Sequence, residues 1–173
     1  MSKKIAFVVG HTENSQGAYS EYLKMHEWRY FKNIALNHLT DVGDVFFHES
    51  SIFSYTARQK EMAGRTKDYD LVIELHFDMF NGSASGCHFI YFAGNKKTSL
   101  FGEMLCLDIE REMGIHSRSG KGAVDSSENG HGFIMQQKTN AILLECFFGD
   151  SSDPQKFDGE KLRKIMQDIK GIL

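Results

Sequence analysis

The chain is poor in the features that would put a sequence in a special class. One proline stands among 173 residues, and no low-complexity tract or internal repeat is present. That leaves no sign of a linker or an appended binding module. The three cysteines, Cys87, Cys106 and Cys146, are odd in number, far apart and free of a C-x-x-C pair. This argues against a disulfide frame and fits reduced, buried thiols. No apolar run approaches the roughly 18 residues of a membrane span, so no membrane insertion is expected. The opening stretch has two lysines, a short apolar run from Ile5 to Val9 and no small-residue cleavage site, too little for a signal peptide. The chain is therefore expected to stay in a cytoplasm until something else releases it. Lys+Arg 20 against Asp+Glu 23 leaves a net charge of −3 and no basic stripe, which argues against nucleic acid as a partner.

What is present is an ordinary globular composition with the length of one domain, residues 1–173. Its most informative stretch is Asp70-Leu-Val-Ile-Glu-Leu-His-Phe-Asp78. As a strand, it points Leu71, Ile73, Leu75 and Phe77 one way and Val72, Glu74, His76 and Asp78 the other. A strand covered by helices on both faces should be apolar on both. Burying unpaired polar groups costs roughly 2–7 kcal/mol each, so something must compensate, and a bound cation is one candidate.

Other segments supply the frame. Ile5 to Val9, Val45 to Phe47, Cys87 to Phe92, Phe133 to Met135 and Ala141 to Phe148 read as strands. Residues 70–78 and 87–92, joined by a short polar loop, are expected to pair with each other. Helices are expected from about Glu27, from Ser54 to about Lys67, from Thr98 to Met113 and from about Gly159 to Leu173. The helix at 98–113 is expected to bury a broad face that includes Leu100 and Leu107. Residues 116–132 are polar, glycine-rich and without periodicity, long enough to suggest function. The sum is an α/β single-domain sandwich with a mixed, largely parallel central sheet flanked by helices.

Ligands in such sheets gather beyond the carboxyl ends of the strands. His11 follows the first strand, while His76 and Glu145 lie near the ends of two others. His11, His76 and a carboxylate would make a His₂Glu zinc site. Glu13, Glu21 and Glu27 are the carboxylates within reach, and periodicity favours Glu27, at the start of a helix whose Trp28/Phe31 face must pack on the sheet. Glu145, among apolar neighbours, suits a general base. Glu74 is either a carboxylate that orients a ligand histidine or a partner for Arg29 or Lys24. His26, His38, His48, His88 and His116 read as surface residues, with His131 set apart by its position at the border of the long polar segment.

Several motifs then coincide. Val9-Gly10-His11-Thr12 with Gly17-Ala18, His26-Glu27-Trp28, Glu74-Leu75-His76-Phe77 with Asn81-Gly82 and Ser85-Gly86, and Ala141-Ile-Leu-Leu-Glu145-Cys-Phe-Phe occur in this order. Together they make the chain resemble zinc-dependent N-acetylmuramoyl-L-alanine amidases, especially the catalytic domains of phage endolysins. The resemblance implies zinc held by His11, Glu27 and His76, with Glu145 catalytic. It also implies bacterial peptidoglycan as partner, cut between N-acetylmuramic acid and L-alanine. Thr139-Asn140 stands where the family often has a proline, and Glu21 remains an alternative to Glu27. A phage lysin held in the host cytoplasm, monomeric and acting on a thin wall, is the corresponding expectation. The alternatives are a zinc carboxypeptidase or endopeptidase acting on the stem peptide, and a non-catalytic wall-binding or tail protein.

Overall fold

A computed structural model describes residues 3–128, 130–137 and 140–173. In chain order the elements are β1 (Ile5–Val9), β2 (Tyr19–Ser20), β3 (Met25–His26), α1 (Glu27–Ile34), β4 (Asp44–Phe47), α2 (Tyr55–Thr66), β5 (Leu71–Asp78), β6 (His88–Phe92), α3 (Lys96–Met113), β7 (Lys121–Ala123), α4 (His131–Gln137), β8 (Ala141–Phe148) and α5 (Gly159–Ile172). A π-helical turn, Ala35–Leu39, continues α1.

Six strands form one sheet in the order β4-β1-β5-β8-β6-β7. The pairs β4/β1, β1/β5, β5/β8 and β6/β7 are parallel, while β6 runs antiparallel to β8. Strand alternation divides the core in two. Phe7, Ile73, Leu75 and Leu144 pack with Trp28 and Phe31 of α1, Leu105 and Ile109 of α3, and Leu162 and Ile165 of α5. Ala6, Val8, Val72 and Leu143 pack on the opposite face with Met62 of α2 and with Phe133 and Ile134 of α4. The three cysteines are free and buried. Among the described residues no helix is long and apolar enough to cross a membrane.

Three expectations need correction. β5 and β6 do not pair, because β8 lies between them. β8 is apolar on both faces, which suits the middle of a sheet, and the polar loop 79–87 carries the chain across its end. That loop is fastened from the far side: Asp150 Oδ2 accepts from Phe80 N (3.1 Å) and Gly82 N (2.9 Å), and Asp153 accepts from Gly86 N (2.7 Å) and Ser85 Oγ (2.9 Å). Phe133 to Met135 is not a strand but the middle of α4, since three apolar residues carry no period that separates strand from helix. The buried face of α3 is narrower than expected, with Leu100 and Leu107 each 56% exposed. It centres on Phe101, Leu105, Ile109 and Met113, and Gly102 lets the helix approach the Phe89 ring, which a Cβ would meet at 2.1 Å. That helix starts two residues early because the Asn95 side chain caps it, accepting from Lys97 N and Thr98 N. The long segment at 116–132 contains β7 and the start of α4. Asn129 within it, and Lys138 and Thr139 before β8, lie outside the described residues.

Candidate metal centre

The carboxyl ends of β1, β5 and β8 meet the first turn of α1. Parallel register sets His76 beside Glu145, and alternation turns both side chains to the face shared by Val72 and Leu143. Gly10 N donates to Leu75 O (3.2 Å), tying the end of β1 to β5. The next residue, His11, turns out of the strand at φ 66°. Gly10 must lack a side chain, because a Cβ there would stand 2.2 Å from the His76 ring. The loop that follows is pinned to α1 by Glu27 N to Ala18 O (2.9 Å) and Trp28 N to Gln16 O (3.0 Å). Gly17 closes the cradle at φ 75°, where a Cβ would press on His11 and on Glu27 Oε2.

Within this cradle His11 Nε2 lies 3.0 Å from Glu27 Oε2, and His76 Nδ1 lies 2.6 Å from Glu27 Oε1. Glu27 Oε1 also accepts from Phe77 N (3.2 Å). One ligand atom from each of His11, Glu27 and His76 falls within 4.8 Å of the others. Burial alone would raise the pKa of Glu27, but the His76 and His11 rings outweigh it and hold the carboxyl at about 2. The other side of His76 faces Glu74, whose Oε2 is 3.3 Å from His76 Nε2, while Glu74 Oε1 takes a 2.7 Å bond from His48 Nε2. Burial opposes charge on the His76 ring as well, yet Glu27 and Glu74 raise its pKa well above the ordinary value.

Glu145 completes the set. Its Oε2 has no hydrogen-bond partner. Burial, with repulsion from Glu27, Asp78 and Glu74, exceeds the opposing pull of His76 and pushes its pKa up to about 8. A cavity of about 650 Å³ joins these groups, lined also by Tyr55 and Arg58 of α2, Asp78, and Ser126 to Glu128. Three carboxylates, Glu27, Glu74 and Glu145, crowd the largely covered His76, an imbalance that a cation would relieve. The donor set of two imidazoles and a carboxylate is one that zinc accepts. The carboxylate behind His76 is the usual means of orienting a ligand imidazole. The residues therefore fit a divalent cation.

His11, Glu27, His76 and Glu145 are thus brought to one place. Glu21 is not among them: it is exposed and pairs with Lys24 at 2.9 Å. Glu13, also exposed, stands outside the cluster. Glu74 takes neither Arg29 nor Lys24 but His48. His48, expected on the surface, is 5% exposed. It directly follows β4, so the carboxyl-end rule that singled out His11 and His76 applies to it equally. His131 is buried, and its Nδ1 lies 3.2 Å from Asp125 O at the edge of the polar segment. Tyr55 and Arg58 carried no signal in the sequence beyond their place on a charged helix.

A mainly parallel sheet with this cluster and an unpartnered glutamate at its carboxyl edge suits hydrolytic chemistry. More narrowly, residues 5–170 match the N-acetylmuramoyl-L-alanine amidase family, and the chain belongs to it. The fold recurs in the catalytic domain of the CD27L endolysin targeting Clostridia difficile, with TM-score 0.78, 23% identity and coverage of 98% of this chain and 97% of that one. The N-acetylmuramoyl-L-alanine amidase of Clostridium difficile 630 aligns with TM-score 0.75, 16% identity and coverage of 98% and 95%. The catalytic domain of CwlV, the amidase of Bacillus (Paenibacillus) polymyxa var. colistinus, gives TM-score 0.70, 19% identity and coverage of 98% and 96%. No curated protein sequence matches the chain.

Proposed function

We propose that the chain is a zinc-dependent amidase that hydrolyses the bond between N-acetylmuramic acid and L-alanine in peptidoglycan, with His11 Nε2, Glu27 and His76 Nδ1 as metal ligands. The observation that carries this is the convergence of those three donors beside an unpartnered Glu145 in one cavity. Bound there, zinc supplies Lewis acidity toward the scissile carbonyl and lowers the pKa of water. Glu145 takes a proton from the attacking water and delivers it to the departing alanine nitrogen. Its environment suits both directions of transfer: burial disfavours the carboxylate, and a neighbouring cation favours it. Glu27 is oriented by the Phe77 N–H, and Glu74, bonded to His48, stands 3.3 Å behind His76 Nε2, where it would steady the ring. The similarity to an endolysin catalytic domain over 98% of the chain supports a lysin role, and we infer that the chain waits in a host cytoplasm until it reaches the wall.

The test is mass spectrometry of muropeptides released from purified walls. The native chain is expected to free the lactyl carboxyl of the sugar together with a new alanine amine, and Glu145→Ala to release neither. Products that keep the lactyl amide intact would assign the chain instead to a stem-peptide peptidase.

A further inference from the structure

The cavity is rich in acid. Glu27, Asp78, Glu128 and Glu145 line it, and Arg58 is the one Lys or Arg side chain among its described lining residues. Arg58 forms no ion pair with any of them or with any other described residue. Its Nη1 is committed, donating to Ile52 O (3.2 Å) and Phe53 O (3.3 Å), the carbonyls just ahead of α2. These bonds fix the guanidinium and leave three of its five N–H donors unused. Nε is covered and without a partner, and Nη2 has no protein acceptor among the described residues. The guanidinium lies 5.9 Å from the centre of the Tyr55 ring, three residues earlier on α2. Arg58 and Tyr55 line the same cavity as His76.

A fixed, unpaired guanidinium in such a cavity suits an anionic part of the substrate, since Arg binds carboxylates through paired, charge-assisted hydrogen bonds. In the reaction proposed above, the group nearest the cut that can carry this charge is the free α-carboxylate of an acidic second residue of the stem peptide, linked onward through its side chain. Only the alanine separates it from the scissile amide, and consecutive α-carbons stand about 3.8 Å apart. Both groups therefore fit within 650 Å³. We infer that Arg58 determines specificity by pairing with that carboxylate on the leaving peptide. The inference rests on the amidase reading and adds a substrate feature to it: the enzyme prefers stems whose second residue is a free acid over those in which it is an amide.

The experiment compares the zinc-loaded native chain, Arg58→Lys and Arg58→Gln on two substrates, N-acetylmuramoyl-L-alanyl-D-isoglutamate and its D-isoglutamine counterpart. The native chain is expected to favour the acid about tenfold or more in kcat/KM, chiefly through KM, as suits a charge-assisted contact. Arg58→Gln should bring the two substrates within about twofold of each other by lowering kcat/KM on the acid more than on the amide, and Arg58→Lys should restore part of the preference. Calorimetric binding of the product L-alanyl-D-isoglutamate should weaken by a similar factor in Arg58→Gln. A native enzyme indifferent to the acid, or an Arg58→Gln variant slowed equally on both substrates, would overturn the inference and leave Arg58 as an anchor of the 52–53 carbonyls. Hydrolysis of neither substrate by the native chain would instead overturn the amidase reading, and this inference with it.

Discussion

On one side of the cavity, His11, His76 and Glu145 sit at the ends of β1, β5 and β8, and Glu27 sits in the first turn of α1. Gly10 lies so close to His76, and Gly17 to His11 and Glu27, that a Cβ at either position would clash. On the other side, Ser126 to Glu128 belong to a segment bonded mostly to itself. Ser127 N donates to Asp125 Oδ1 (2.8 Å), and Glu128 pairs with the exposed Lys121. The difference teaches how the fold divides its work. Groups that must meet within about half an ångström are mounted on strands and a helix start, whereas a wall that only shapes the entrance can be built from a loop.

Changes on the strand-end side should be costly, and the costs should differ in kind. Replacing Glu145 by Gln removes the proposed proton carrier and leaves the proposed ligands His11, Glu27 and His76 in place. Its kcat is expected to fall by about 10²–10⁴, with zinc content and thermal midpoint unchanged, measured by steady-state kinetics beside metal analysis and calorimetry. Glu74→Gln acts through His76, so zinc affinity is expected to drop by roughly 10–100-fold, read by competition with a chelating dye. Retention of native affinity in Glu74→Gln would deny the carboxylate its orienting role.

The loop at 79–87 tests whether the same rigidity extends to the crossing over β8. Asp153 is fully buried there. Burial raises its pKa, but the Gly86 N–H, the Ser85 hydroxyl and Lys156 lower it further. A carboxyl whose folded pKa lies below its unfolded value contributes stability that is complete above the unfolded pKa, about 3.9, and is lost as pH falls through the folded one. Asp153→Asn is therefore expected to cost about 1–3 kcal/mol at neutral pH, and the gap from the native chain should close in acid. Urea unfolding at a series of pH values checks this. The smallest effect belongs to the opposite wall. Lys121→Ala breaks an exposed ion pair of little weight, and should alter KM slightly and kcat not at all.

The parts of this architecture that could be read from the sequence are those written in long local patterns. β1, β5 and β8 announce themselves as apolar runs, α1 and α5 as amphipathic periods, and His11, Glu27, His76 and Glu145 by their places at strand ends and a helix start, joined by the family resemblance. Strand order is not a local property, and nothing between residues 78 and 88 says that β8 will slip between β5 and β6. α4 has only seven residues, too few for a period to separate it from a strand. His48 looked like a surface residue because its partner, Glu74, lies 26 residues away in sequence. Arg58 is half-buried on a charged helix, where a charged side chain is the ordinary condition. Its importance depends on the cavity rather than on any motif.

The central claim is that the ends of three strands and one helix start build a zinc site whose ligands are separate from its proton carrier. Zinc stoichiometry measured by plasma mass spectrometry on the native chain, Glu145→Gln and His76→Ala tests it most directly, with circular dichroism to establish folding. The account expects one zinc per chain in the native protein and in Glu145→Gln, and a loss of zinc in a folded His76→Ala. A native chain that takes up no zinc, or a His76→Ala variant that holds it as tightly as the native chain, would contradict it.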